Sequence, residues 1–419
     1  MNTNLEIIVL GAGMVGVGTA LALQQRGHAV ILIDRSQPGR ETSYGNAGII
    51  QREAVQPYAF PRTLATLARI VTGRSNDAHY HAGALLRMAP QLFRYWVSSA
   101  PHRYATIVKA YSRLIEHCLA EHEAWIGPAG AADLIRKDGW LQMYRTGAAF
   151  EAAAAQATAV ASVHGLACAV LDSAALAAAQ PMLRMPLAGA VHWMEPWTVL
   201  DPGELVARYA RLFLERGGSF ATGDALTLRA VGAGWALDIG GAGQASSPVR
   251  AAQVVIALGP WSDTLTRRLG YRLPLFVKRG YHRHYACDAM PGMPVLDVLR
   301  GALLAPMARG LRITTGAEFA HQGAPATPVQ LLRAEAAARE LVALGKPVEA
   351  DLWLGARPCT ADMLPIIGAA PRHPGLWFNF GHAHQGFTLG PVTGRLVAEL
   401  ISGETPFIDP EPYLAQRFL

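Results

Sequence analysis

The sequence predicts an α/β protein built from two interleaved domains, and three observations carry that expectation. An apolar run ending in glycines, a helix-spaced segment and a second apolar run open the chain as one strand–helix–strand unit. At 419 residues the chain exceeds the roughly 250–300 residues at which single cores stop growing. No internal repeat or low-complexity linker separates its parts, so the domains are expected to interleave. The 51% hydrophobic and 16% charged composition is that of a globular chain with large buried faces, which excludes disorder.

The elements follow in order. Leu5 to Leu10 is rich in Ile and Val and reads as a buried parallel strand. Helix-compatible spacing then runs to Gly27 as a C-cap, and a second strand, Ala29 to Ile33, ends at Asp34. From Pro57 to about Arg136 the pattern is helical, with Leu85, Met88, Leu92, Phe93 and Trp96 recurring every three or four residues. Leu134 to Tyr144 reads as a hairpin closing on Asp138-Gly139. Ala152 to Leu171 carries no charge, but its Gln156, Ser162, His164 and Gly165 make it a surface helix and a short strand rather than a membrane span. Asp201-Pro202-Gly203-Glu204 opens a helix that ends near Gly217-Gly218. Strands are expected at 227–230, 235–239 and 251–257, and again within 273–315. A helix over 328–344, a strand over 376–380, a glycine-rich turn and a helix over 392–401 complete the chain.

The net charge of +6 comes from scattered basic residues with no block among them, which argues against nucleic acid and for a generally cationic surface. Cys118, Cys168, Cys287 and Cys359 are widely spaced and show no metal pattern, as expected of reduced thiols. Without an export signal the expected location is the cytoplasm, with a peripheral contact on the inner membrane left open.

The chemistry begins at Gly11-Ala12-Gly13-Met14-Val15-Gly16. This GxGxxG follows a strand, opens a helix, and is completed by Asp34 at the end of the next strand, the pattern of a Rossmann-type dinucleotide site. Gly11 allows the tight turn, Gly13 lets the backbone approach a pyrophosphate, and Gly16 lets helix and strand close on each other. An acid at Asp34 accepts ribose hydroxyls and disfavours a 2′-phosphate. Thr42, Ser43 and Asn46 stand in a small polar segment suited to lie against a planar ligand. No serine, histidine and acid pattern supports hydrolysis, and no spacing supports a catalytic metal.

Six segments, in order, resemble the D-amino-acid oxidase superfamily of FAD-dependent oxidoreductases, above all bacterial D-amino-acid dehydrogenases and glyphosate oxidoreductase. They are residues 9–16, Thr42 to Gly48, Ala257 to Ser262, Arg279 to His282, Gly355 to Gly368 and Gly381 to Thr388. The resemblance implies FAD, bound non-covalently, on a discontinuous Rossmann-type domain of residues 1–56, 190–270 and 352–419. It also implies an α+β substrate domain built on an antiparallel sheet, residues 57–189 and 271–351.

On the same ground the cofactor is expected to meet Gly11, Gly13, Met14, Val15, Gly16, Asp34 and Arg35 at one end. Ala225 would lie at the adenine, with Ala257, Gly259 and Trp261 beside the ribityl and pyrophosphate. Thr42, Ser43, Asn46, Ala47, Gly48 and Ile49 would clasp the isoalloxazine against Gly381, His382, His384, Gly386, Phe387 and Thr388. Arg357 is expected among the cofactor contacts too, and is the expected ligand of a substrate carboxylate, since a planar guanidinium holds a carboxylate through two parallel bonds. Tyr281, His282 and His384 are the further catalytic candidates.

Related oxidases attach FAD through a cysteine where this chain has Gly355, and carry a lysine where it has Thr388. The first difference implies non-covalent FAD, and the second favours a dehydrogenase that hands electrons to a quinone or another carrier. The implied reaction is hydride transfer from the carbon next to nitrogen to flavin N5, giving an imine and then a 2-oxo acid. The substrate is expected to be a D-amino acid, including cyclic D-imino acids such as D-proline or hydroxyproline. The alternatives are a secondary amine of glyphosate, sarcosine or glycine type, and a non-catalytic FAD-binding subunit.

Overall fold

A computed structural model describes residues 6–72, 76–240 and 247–419. Leu5, the expected start of the first strand, lies outside them. Two large sheets organise the fold. The six-stranded sheet runs in the order 219–222, 30–34, 7–10, 253–256, 376–380, 366–369, and all its pairings are parallel except the last. Ile7–Leu10 is buried at every residue because helices and a second layer cover both faces of the sheet.

Helix Met14–Gln24 follows it and packs on helix Gly386–Ile401 at a crossing made of glycines. A Cβ on Gly18 would stand 2.8 Å from the Gly390 carbonyl oxygen, and one on Gly394 would stand 2.6 Å from the Gly18 backbone. Bare backbones are therefore what allow the close approach. Helix Pro202–Glu215 packs nearby, its N-terminus capped by the Asp201 carboxylate on the Glu204 N–H at 3.0 Å.

The second sheet has ten strands, in the order 78–80, 317–319, 275–285, 310–314, 302–307, 295–297, 140–144, 189–193, 168–172, with 353–360 also paired to 275–285. It is antiparallel apart from two pairings, 78–80 with 317–319 and 140–144 with 295–297. The α+β half expected from the sequence is therefore present. Helices 64–71, 82–98, 101–116 and 118–126 make up the predicted helical stretch.

Three sequence readings are corrected. Residues 134–144 do not form a hairpin: Ile135–Arg136 pairs with Trp197–Val199 and Trp140–Tyr144 pairs with Gly189–Trp193, in different sheets. The local turn signal at Gly139, whose φ is +76°, is real, but tertiary pairing sends its two arms apart. The last helix starts at Gly386, not 392, so the glycine-rich turn is already its first turn and Pro391 lies inside it. Strands 189–193 and 353–360 belong to the large antiparallel sheet, although the sequence assigned 190–270 and 352–419 to the cofactor half.

Candidate functional site

A continuous cavity of about 1190 Å³ runs from the glycine turn to the face of the antiparallel sheet. That exceeds the roughly 300–1,000 Å³ typical of a single small-ligand pocket, leaving room for a dinucleotide and a small substrate together.

At one end stand Gly11, Gly13, Met14 and Val15, on the turn into the first helix. Gly11 has φ +106°, and Gly13 caps the helix without a side-chain bond, so the helix N-terminus faces the cavity. The Ser43 hydroxyl reaches the Met14 N–H at 3.0 Å. Asp34 accepts from the Ala12 N–H at 2.6 Å and the Ser36 N–H at 2.9 Å, and burial raises its pKa above the usual carboxylate value. Its carboxylate thus also braces the glycine turn. Arg35 pairs with Glu41 at 2.9 Å and lies 4.2 Å over the Trp261 ring, and with Ala225, Ala257 and Gly259 completes that wall.

In the middle, Thr42, Ser43, Asn46, Ala47 and Ile49 line one wall and His382, Gly386 and Phe387 the other. Thr42 donates to the Ala356 carbonyl at 3.1 Å and the Asn46 side chain accepts from the Gly48 N–H at 2.8 Å, which fixes the segment. Arg312, buried and with its pKa lowered by burial to about 10, donates to the backbone carbonyls of Tyr44 and Asn46. His122, held neutral by burial with its pKa near 4, donates to the Phe387 carbonyl at 3.1 Å and steadies the facing helix. Sequence reasoning missed both, because neither lies in a cofactor motif and only the tertiary fold brings them to it.

Gly16, Gly48, Gly381 and Thr388 do not line the cavity, although the sequence placed them among the cofactor contacts. A Cβ on Gly16 would lie 1.7 Å from the Gly11 carbonyl oxygen, one on Gly48 2.4 Å from that of Val199, and one on Gly381 2.8 Å from the Thr360 methyl. At Gly16 and Gly48 the missing Cβ lets backbones close, and at Gly381 it makes room for the Thr360 methyl. Thr388 is buried and accepts from the Gln51 N–H at 3.2 Å.

At the far end, Arg357 lies over Gly280, where a Cβ would stand 2.5 Å from the guanidinium. It donates to the carbonyls of Arg279, Gly316 and Thr315 at 3.2–3.4 Å, and among the described residues no carboxylate acts on it. Burial lowers its pKa from the ordinary value, yet an arginine remains charged. His384 also lines the cavity, its ring 4.9 Å from that of Tyr58. Burial, then the charges of Arg357 and Lys278, hold its pKa well below the usual histidine range. It is a neutral hydrogen-bonding group there.

The other two catalytic candidates are displaced. His282 is buried outside the cavity lining, stacked on Trp353 with ring centres 4.8 Å apart, and burial drives its pKa far down. Tyr281 touches the cavity wall, but its hydroxyl is engaged with Glu318 at 3.0 Å and the Thr327 N–H at 2.7 Å. Tyr281→Phe should therefore leave kcat/KM within about threefold while lowering stability by about 1–3 kcal/mol, since it orphans buried groups; a large loss of activity with unchanged stability would contradict this. The same Glu318 lies with His79 and His81 within 4.8 Å, but it is paired to Arg279 at 2.5 Å, so the cluster is an ion-pair network.

A second cavity of about 400 Å³ adjoins the first. It holds Glu53, whose carboxyl accepts from Trp140 and Gln51 at 2.8 Å each and is lifted by burial to about 7. With the folded pKa above the unfolded one, its cost to stability is absent below pH 4.5, grows as pH rises to about 7, and is constant above. Glu53→Gln should accordingly stabilise the protein at pH 8 by up to about 3 kcal/mol and leave it unchanged at pH 4, read by denaturant unfolding at the two pH values.

The sequence profile of the family described as DAO, FAD dependent oxidoreductase, matches residues 6–400. A D-amino acid dehydrogenase of Granulibacter bethesdensis is 31% identical over 97% of both chains. A D-amino-acid oxidase of Bradyrhizobium diazoefficiens is 28% identical over 99% of both. The fold is that of a glycine oxidase from Geobacillus kaustophilus, with TM-score 0.74 and 20% identity over the whole of both chains. The chain belongs to the family of FAD-dependent oxidoreductases.

Proposed function

We propose that this FAD-dependent oxidoreductase oxidises the carbon–nitrogen bond of a small amino acid, a D-amino acid or cyclic D-imino acid, and passes the electrons to a quinone or another carrier. The observation that carries the reading is Arg357, a half-buried guanidinium on which no carboxylate acts among the described residues, at the antiparallel-sheet end of the cavity. Its fork fits a substrate carboxylate and fixes which carbon faces the middle of the site. The two relatives named for D-amino acids support the stereochemical choice.

The cavity fits FAD: a helix N-terminus whose cap residue Gly13 offers no side chain to compete for phosphate, an acid at the end of the second strand, and polar and apolar walls around Asn46 and Phe387. FAD supplies a two-electron acceptor for the hydride on the substrate carbon. Arg357 orients that carbon, and neutral His384 offers a hydrogen bond beside it, so no side-chain base is needed when the amine arrives neutral. Tyr58, Phe60, Leu92, Phe93 and Trp96 give the cavity an aromatic and aliphatic wall. The substrate leaves as an imine that water hydrolyses to a 2-oxo acid and ammonia, or to an amine where the nitrogen is substituted.

Binding is non-covalent on this reading. A Cβ at Gly355, the position where related oxidases carry cysteine, would stand 1.8 Å from the Trp353 ring, and Cys359 is buried with its pKa raised by burial. A lysine does enter the cavity, from position 278 rather than 388, so the choice of a carrier over oxygen rests on the relatives named dehydrogenases. Among the described residues no helix is long and apolar enough to cross a membrane.

The test is anaerobic bleaching of the flavin band by a panel of D-, L- and N-substituted amino acids. Rapid bleaching by D-amino acids is expected. Bleaching by secondary amines alone would transfer the assignment to that class, and none at all would sink it.

A further inference from the structure

We propose that the natural substrate carries two acidic groups, one held by Arg357 and a second, carboxylate or phosphonate, held by Lys278. The inference rests on the amine-oxidising reading and narrows its substrate class.

The register of strands 275–285 and 353–360 sets Lys278 directly opposite Arg357. Residues so placed share a sheet face, with Cβ atoms about 4.5–5.5 Å apart, and like charges there destabilise the pair. From that common root the two heads diverge. The guanidinium crosses Gly280 toward the carbonyls of Thr315 and Gly316. The ammonium turns to the Tyr95 hydroxyl at 3.2 Å and lies 4.6 Å over the Tyr95 ring.

Lys278 is only 6% exposed, and it lines both the main cavity and the adjoining one. The groups that act on its charge are Cys359, a buried thiol, and Arg357, another cation. Glu53, the acid of the adjoining cavity, is bound to Gln51 and Trp140 and does not act on Lys278. An ammonium withdrawn from water beside a second cation is costly unless an anion meets it. A ligand with one acidic group neutralises only one of the two. A diacid neutralises both and spans the sheet face between the diverging heads.

Matched pairs test this by anaerobic flavin reduction: D-glutamate against D-glutamine, and N-(carboxymethyl)glycine against sarcosine. In at least one pair the diacid should reduce the flavin at least tenfold more efficiently. Lys278→Met should lower that efficiency about 10- to 100-fold, as expected for loss of one charge-assisted bond, and change the monoacid less than threefold. Lys278→Arg should keep the preference. Equal efficiency within both pairs, or an equal loss for both members in Lys278→Met, overturns the proposal and leaves the amine-oxidising reading intact. Should none of the amines reduce the flavin, that reading fails separately. The subsite is then read with malonate, which should perturb the flavin spectrum of the wild type and not of Lys278→Met, and no perturbation in either overturns it.

Discussion

Arg357→Ala should keep its yellow colour and lose nearly all of its reductive half-reaction. The guanidinium bonds to carbonyls of the antiparallel sheet and to none of the glycine turn, so the hold on the pyrophosphate end should be kept. What is lost is a pair of charge-assisted bonds to the substrate carboxylate, about 1.5–3 kcal/mol each. The sum, about 3–6 kcal/mol, corresponds to roughly 10²- to 10⁴-fold in flavin reduction per substrate concentration. The loss should be seen as weaker binding together with slower reduction, because a substrate without its anchor also presents the wrong carbon. Arg357→Lys should recover only part, since an ammonium offers a point charge and not a planar fork. Stopped-flow reduction under nitrogen measures both effects, and a change smaller than tenfold in Arg357→Ala would show that the carboxylate is held elsewhere. Because Arg357 donates to the carbonyls of Arg279, Thr315 and Gly316, truncation should also lower stability by about 1–3 kcal/mol, which denaturant unfolding reads apart from the loss of flavin reduction.

The dinucleotide end of the site was legible in the sequence, and the substrate end only partly. Gly11, Gly13 and Asp34 are consecutive parts of one local unit, so spacing along the chain equals proximity in space. Arg357 was found because it sits in a long motif. Lys278 stands four residues before His282, in a segment whose sequence drew attention to Tyr281 and His282. The strand pairing decides instead that Lys278 and Gly280 meet the cavity while His282 packs on Trp353. Arg312 and His122 act from other parts of the chain, through bonds to backbone carbonyls that no side-chain pattern announces. The false hairpin at 134–144 has the same origin. A turn signal is local, whereas the partner of each arm is more than forty residues away and the two arms lie in different sheets.

Gly11→Ala should yield a colourless protein that excess FAD does not restore. Gly11 has φ +106°, and its backbone is fixed between two strands: its N–H bonds to the Ile33 carbonyl at 2.8 Å, while the neighbouring Leu10 carbonyl accepts from the Ala257 N–H at 2.8 Å. A Cβ there would lie 2.4 Å from the Ala257 carbonyl oxygen, well inside any real contact. The backbone conformation alone costs an alanine about 1–3 kcal/mol. The clash adds to this, and relief requires the turn to move away from strand 253–256, where Ala257 and Gly259 line the same cavity. The helix N-terminus would then no longer face the phosphates, and affinity should fall by at least about 100-fold if even two of its hydrogen bonds are lost.

Gly217→Ala separates this from a general fault in folding. Gly217 has φ +90° but nothing within 4 Å of its built Cβ, at the end of helix 202–215. It should bear a similar backbone penalty and still bind FAD stoichiometrically. Equal loss of FAD in the two variants would mean that instability, and not the geometry of the turn, empties the site. Retention of FAD by Gly11→Ala would mean that the turn is not what holds the pyrophosphate.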